Sequence, residues 1–368
     1  MKQRFTALDI FRGMTIAFMI VVNTSGDWSQ TFPPLLHAQW HGFTPTDLVF
    51  PSFMFAVGNA LAFVLGKWQN RSFRDFFLKI LKRFVWLFLL GYTMYWIPFI
   101  RWTEGGGWEF IPMADTRIWG VLQRIALAYL VCAPLVYFLK QKAIWILSGL
   151  MLLAYWAILY AFGDYTLENN AVRTLDLFLF GPKHLYTGDG IPFDPEGLLS
   201  TLPTLVNVLA GYLLGIYLKK GKISYEKIAK ISLMGAALIF IALCWDWFFP
   251  INKKLWTSSY VLLTVGMDLV IIGAIVYVNV FAKRKWKGRF FQTFGKNPLA
   301  IYLLSEYIAI LMHFFRVDPN TSVYRWVYLS GFDWMGPYWG ALAFALSVMF
   351  ICWLAAKWLE NRRIYLKV

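Results

Sequence analysis

AIWILSGLMLLAYWAILYAF, residues 143–162, runs for 20 residues without a charge. About 20 such residues, rising 1.5 Å each as a helix, cross the hydrocarbon core of a bilayer. In lipid a backbone can satisfy its own amides only as a helix or a closed barrel. Residues 338–356 repeat the pattern, again uncharged. Outward from these two, eight further segments come near the same length: roughly 5–24, 46–66, 84–100, 118–139, 199–218, 229–249, 256–281 and 297–315. The expected fold is all-α, a polytopic integral membrane bundle of about ten transmembrane helices, with residues 1–368 forming one domain. Composition points the same way. Hydrophobic residues make up 59%, mean hydropathy is +0.54, and 19 Trp with 19 Tyr suit many membrane–water boundaries.

Net charge is +15, which on a soluble chain would raise nucleic acid as a partner. Its placement argues otherwise. Of 35 basic residues, 25 fall at the N-terminus, in alternate loops and at the C-terminus. The intervening loops hold only Arg101, Arg117, Arg173, Lys183, Lys253, Lys254, Arg316 and Arg325. Short positive loops stay cytoplasmic, so the pattern predicts an N-in, C-in protein of a bacterial cytoplasmic (inner) membrane, with lipid as its surroundings and no nucleic acid partner. A homodimer is compatible with the sequence. The apolar start continues to Val22 with no small-residue cleavage site after it, so it is expected to stay as a first helix. Cys132, Cys244 and Cys352 lie in apolar runs without CxxC spacing, which argues against a disulfide framework or a zinc site.

Against this background the polar residues stand out. LHAQWHGFTPTDLVFPSFMF, residues 36–55, carries His37, Trp40, His41, Asp47 and Pro51, and has no Lys or Arg before the next apolar segment. A histidine oriented by an amide or a carboxylate is a usable base or nucleophile near neutral pH, and Asn23, His41 and Asp47 all lie close to His37 in sequence. The i,i+4 histidine pair would need a helix and a third ligand to hold metal, and Gly42 and Pro45 speak against that helix, so no metal is expected. Ionisable residues inside apolar segments are costly and mark function or pairing. They are Asp9 and Arg12, three apart on one helical face, Gln123 with Arg124, and Glu306 beside Ser305. Glu306 is a candidate to neutralise Arg124. The loop 163–198 adds Asp164, Glu168, Asp176, Asp189, Asp194 and Glu196, and is long enough to act as a cap. There is no GxSxG elbow, Walker loop or GxGxxG, so any phosphate-binding site must be built by tertiary structure.

Seven blocks in order carry a family resemblance: LDIFRG (8–13), VVNTSG (21–26), HAQWHGFTPTDLVFPSFMFAVG (37–58), GVLQR (120–124), FDPEG (193–197), INKKLWTSSY (251–260) and NPLAIYLLSE (297–306). The chain resembles the heparan-alpha-glucosaminide N-acetyltransferase family of transmembrane acyltransferases, which has lysosomal and bacterial members. The resemblance implies transfer of an acetyl group from cytoplasmic acetyl-CoA, as acyl donor, to the amine of a glucosamine on the far side. It implies His37 as the active-site histidine and Asn23 as its helper, with Asp47 in support. Gln123, Arg124, Asp9 and Arg12 are then the expected contacts of acetyl-CoA, and Trp40, Asp194, Glu196, Asn252 and Glu306 those of the amino-sugar acceptor. Lysosomal members have asparagine at the place of His41, and carry an N-terminal luminal region and helix ahead of the segment that this chain matches. Direct transfer and a transient acetyl-His37 are both open. A competing reading is a secondary transporter for a sugar or related solute, which buried Arg124 and Glu306 would also suit, although the two halves show no convincing repeat.

Overall fold

A computed structural model describes residues 5–68, 72–103, 107–282 and 288–366. Thirteen α-helices carry nearly all the regular structure among the described residues: α1 (Thr6–Asn23), α2 (Val49–Val64), α3 (Phe73–Trp96), α4 (Val121–Phe138), α5 (Gln141–Ala161), α6 (Ala171–Phe180), α7 (Thr201–Lys219), α8 (Tyr225–Asp246), α9 (Ser258–Val280), α10 (Arg289–Lys296), α11 (Pro298–Phe314), α12 (Val323–Gly331) and α13 (Pro337–Asn361). Two short antiparallel hairpins, β1 (Ile100–Trp102) with β2 (Trp108–Phe110) and β3 (Arg316–Asp318) with β4 (Thr321–Ser322), sit in loops. The uncharged run that opened the reading is α5.

Eight helices are long and apolar enough to cross a membrane, or nine if the bent pair α10–α11 counts as one span. The protein is a polytopic helical membrane protein, but ten straight spans overstate it. The expected span 84–100 belongs to α3, which begins eleven residues earlier and carries Arg74, Asp75, Lys79, Lys82 and Arg83 in its first half. That charge in lipid would be costly, so it belongs to the lysine end, and the uncharged half from Phe84 to Trp96 leads from there to the loop at 97. The segment 297–315 is turned by 88° from α10. The break falls at Asn297–Pro298, where proline lacks the amide that a continuous helix would use and instead opens α11.

Burial separates the core from the lipid face. In α7, 78% of the span is buried, in α1 and α2 67%, but in α8 only 17% and in α5 28%. The exposed faces of α5 and α8, with Trp145, Leu150, Leu153, Leu233 and Phe240, are apolar, as a lipid-facing surface requires. Helices α2 and α7 meet backbone to backbone: a Cβ on Gly58 would lie 1.8 Å from the Val208 carbonyl oxygen, and one on Gly211 2.0 Å from that of Phe55. Only glycine permits this approach, and it draws α2, with the loop before it, onto the central helix.

The loops gather at two ends. One end collects residues 24–45, 97–120, 162–200, 247–257 and 315–336, bound to one another by hydrogen bonds such as Gly42 N–H to Ile251 O (2.8 Å) and Ile118 N–H to His184 O (3.2 Å). We call this the histidine end. The other, the lysine end, holds most of the basic residues. Lys2, Arg4, Arg71, Lys283, Arg284, Lys285, Lys287 and Lys367, counted there by sequence, lie outside the described residues.

Candidate active site

The site begins with a helix cap. Thr44 and Asp47 form a capping box at the 3-10 turn Pro45–Leu48 that leads into α2: Thr44 N–H (2.9 Å) and Thr44 Oγ1–H (3.1 Å) both donate to Asp47 Oδ2. Ala38 N–H donates to the same oxygen at 3.2 Å, which bends the chain 36–47 back over the cap. The other carboxylate oxygen, Oδ1, lies 2.7 Å from His37 Nδ1. A carboxylate can only accept, so Nδ1 carries the proton and Nε2 keeps its lone pair. Asp47 is fully buried, and its own carbonyl is held by Tyr260 O–H from α9 at 2.6 Å, whereas the His37 side chain is 45% exposed, with one part open and the rest packed into the site.

Lys253, from the loop between α8 and α9, completes the arrangement. Its Nζ lies 3.0 Å from both ring nitrogens of His37 and 3.9 Å from Asp47 Oδ1. Burial, and then the charge of Lys253, hold the His37 imidazole below the ordinary histidine value, against the opposing pull of Asp47 and Glu196. Burial lowers Lys253 as well. The result is a neutral imidazole near pH 7 with a fixed tautomer, whose Nε2 lone pair meets Lys253 Nζ at 3.0 Å and can take a proton or attack a carbonyl once that lysine turns to a substrate.

Beside it stands an ion-pair cluster from the cap loop. Arg117 donates from Nε (2.8 Å) and Nη2 (2.6 Å) to the two oxygens of fully buried Asp194, and from Nη2 to Glu196 at 2.6 Å. Burial pushes Glu196 upward, but Arg117, Arg124 and Lys253 outweigh it and keep its carboxyl below the usual range. Asp176 on α6 supports this turn from beneath, accepting Leu198 N–H at 3.1 Å, and burial pushes its pKa up to about 7.

The chain matches the acyltransferase domain family over residues 5–357, nearly its whole length. The chain belongs to this acyltransferase family. Among individual proteins, it is 27% identical to heparan-alpha-glucosaminide N-acetyltransferase of Mus musculus over 368 aligned residues, and 27% identical to that of Homo sapiens over 366. Each alignment covers 82% of this chain and 53% of the relative, so the chain spans about half the length of the curated relatives it matches.

In the acyltransferase, the residues singled out by sequence fall into three groups. His37 and Asp47 meet directly, and Glu196 lies within electrostatic reach of both His37 and Lys253. Asn23, at the end of α1, donates to Glu306 Oε1 at 3.2 Å, so Asp47 and not Asn23 is the partner on the His37 ring. Glu306 accordingly does not neutralise Arg124. The second group is structural in its contacts. Trp40 donates from Nε1 to Tyr165 O (2.7 Å) and packs edge-on against Phe193, Asp194 is held by Arg117, and Asn252 shapes its own turn by accepting Leu255 N–H (2.8 Å) while facing His41 at 3.4 Å. Arg124 is one turn into α4, near the histidine end. Its Nη2 donates to Pro195 O (2.8 Å), Gly197 O (3.2 Å) and Ser200 Oγ, and its guanidinium stacks 4.9 Å from the Trp256 ring. Its Nε and Nη1, and both polar atoms of Gln123, have no hydrogen-bond partner among the described residues. The third group is remote. Asp9 and Arg12 pair at 2.5 Å near the lysine end of α1.

Two residues of the site went unremarked in the sequence, Lys253 and Arg117. The signal for Lys253 was weak but present: Lys253–Lys254 is the lone pair of adjacent lysines in the otherwise lysine-poor loops.

Proposed function

We propose that the acyltransferase moves an acetyl group from acetyl-CoA to the amine of a glucosamine-type sugar across a bacterial inner membrane, with the donor entering at the lysine end and the acceptor at the histidine end. The observation that carries this reading is the His37–Asp47 pair with Lys253 against its ring, in a chain of acyltransferase family. An apolar cleft supports the donor's route. It is lined by Arg12, Arg83 and Pro298 toward the lysine end and by Leu122, Ile125 and Tyr302 further in, next to the unpartnered Gln123. Cations at its mouth suit the phosphates of CoA, and apolar walls suit the thioester arm.

In this mechanism the amine nitrogen attacks the thioester carbonyl while His37 Nε2 takes its proton, and Asp47 stabilises the resulting imidazolium through Nδ1–H. The carbon–sulfur bond breaks, CoA leaves as the thiolate, and His37 returns the proton to it. Lys253, 3.0 Å from the ring, is placed to face the oxyanion of the tetrahedral intermediate.

Purified protein incubated with labelled acetyl-CoA and glucosamine tests the reading: transfer of label to the amine supports it. Glucosamine uptake into vesicles without acetyl-CoA, and no acetylated product, would replace it with a transporter. Incubation with labelled acetyl-CoA alone should leave the protein unlabelled, and label on the protein that is lost in His37→Ala would replace the one-step route by an acetyl-histidine.

A further inference from the structure

The acyltransferase is strongly polarised in charge at the end where its acceptor would bind. Of the 19 acidic residues that the structure describes, all but Asp9, Asp75, Glu226, Asp268 and Glu360 sit at or open toward the histidine end, where eight basic residues of the loops, and Arg124 of α4, face them. Those eight are largely engaged. Arg117 is held by Asp194 and Glu196, Lys254 by Asp189 (2.5 Å), Lys183 by Asp115 (3.1 Å) and Arg101 by Glu109. Lys253 lies against His37. Arg124 is fully enclosed beneath the cap loop. Among the described residues of this end, the cation without a partner is Arg325, exposed on α12.

Acceptors of charge, by contrast, are open. Asn23 is exposed at the end of α1, and its amide donates to Glu306 Oε1. That bond, 3.2 Å long, is the hydrogen bond that either side chain makes among the described residues, so the pair keeps acceptor capacity on a carboxylate and on an amide. That is the complement of an ammonium group. Glu196 links this pair to the proposed base: it lies within electrostatic reach of His37 and Lys253, and also of Tyr95 and Tyr302, both of which Glu306 reaches.

We infer that the acceptor is an amino sugar whose only formal charge is its ammonium, seated by Glu306 and Asn23, and that sugars bearing sulfate or uronate are turned away by the acid surplus. This deepens the acetyltransferase reading and rests on it. The physical reason is the field of the whole end: the acid surplus attracts a cation and repels a polyanion, and Lys253, the cation against His37, has the Asp47 carboxylate 3.9 Å away to offset it. Glu306 holds the incoming ammonium, which first gives up one proton to solvent; the free amine then attacks as His37 takes a second proton and passes it to the CoA thiolate, so the charge that draws the acceptor in disappears in the product.

The test compares three acceptors with purified protein and acetyl-CoA: glucosamine, a glucosamine β-1,4 dimer, and a sulfated uronate–glucosamine disaccharide with a free amine. At low ionic strength the first two should exceed the third in kcat/KM by about tenfold or more, and the gap should narrow as salt screens the field at about 0.5 M. Glu306→Gln should raise the KM for glucosamine about tenfold while leaving the KM for acetyl-CoA in place. Equal or faster turnover of the sulfated disaccharide, or a preference insensitive to salt, overturns the inference and leaves the acetyltransferase reading standing. Transfer to none of the three overturns that reading, and the inference falls with it.

Discussion

The two ends of the bundle use charge in opposite ways. At the lysine end the cations are numerous and largely solvent-facing, as in Lys230 with Glu226, where both side chains are more than half exposed. Its buried pairings are few, such as Asp9 with Arg12 three residues on, and Lys296 and Thr293 with Glu360 from the far end of the chain. At the histidine end the charges are fewer and join loops that are distant in sequence: Arg117 to Asp194 and Glu196, Lys253 to His37, Asn23 to Glu306. Exposed pairs in water contribute little, whereas buried, hydrogen-bonded charges cost energy unless their geometry is complete. Charge at the lysine end therefore serves location and attraction, and charge at the histidine end specifies an arrangement of atoms.

Substitutions at the two ends should separate in the same way. The largest effect is expected from His37→Ala, which should lower kcat about a thousandfold while acetyl-CoA binding, read by calorimetry, persists. A folded variant with ordinary turnover would remove the base from the mechanism. Next comes Arg124→Leu, which leaves the Pro195 carbonyl without its donor and takes one donor from that of Gly197, which Ser200 and Thr201 also reach. Thermal unfolding should show a loss of about 3 kcal/mol, together with lower activity. An unchanged melting temperature with weakened acetyl-CoA binding would instead make Arg124 a ligand contact.

Lys253→Met should act through pH. The His37 imidazole is held down by burial and then by Lys253, so its neutral form persists to lower pH than an ordinary histidine, and the acid limb of kcat/KM lies correspondingly low. Removing the cation should move that limb to higher pH, and an unmoved limb in an active variant would show that Lys253 does not tune the ring. The smallest effect belongs to the lysine end: Lys230→Ala should leave both melting temperature and turnover unchanged. If it slowed turnover as much as Lys253→Met, the contrast between the ends would fail.

Much of this was legible in the chain itself. The apolar runs and the alternation of basic loops follow from what lipid demands of a backbone and of charge, a demand that acts on each segment separately. His37 and Asp47, ten residues apart, were equally readable because a capping box folds that loop upon itself. Among the segments, α3 extends furthest beyond its apolar run, with the charges of its first half continuing the helix at the lysine end. Long-range partners obey no such local rule. Asn23 and Glu306 are 283 residues apart and Lys253 and His37 216, and their meeting depends on how glycine-faced helices such as α2 and α7 close on one another. By itself the sequence determined a helical membrane protein with a histidine poised at one end. Tertiary packing alone decided which lysine lies against the ring and that Asn23 meets Glu306 instead of His37, because burial and long-range pairing are properties of the assembled bundle.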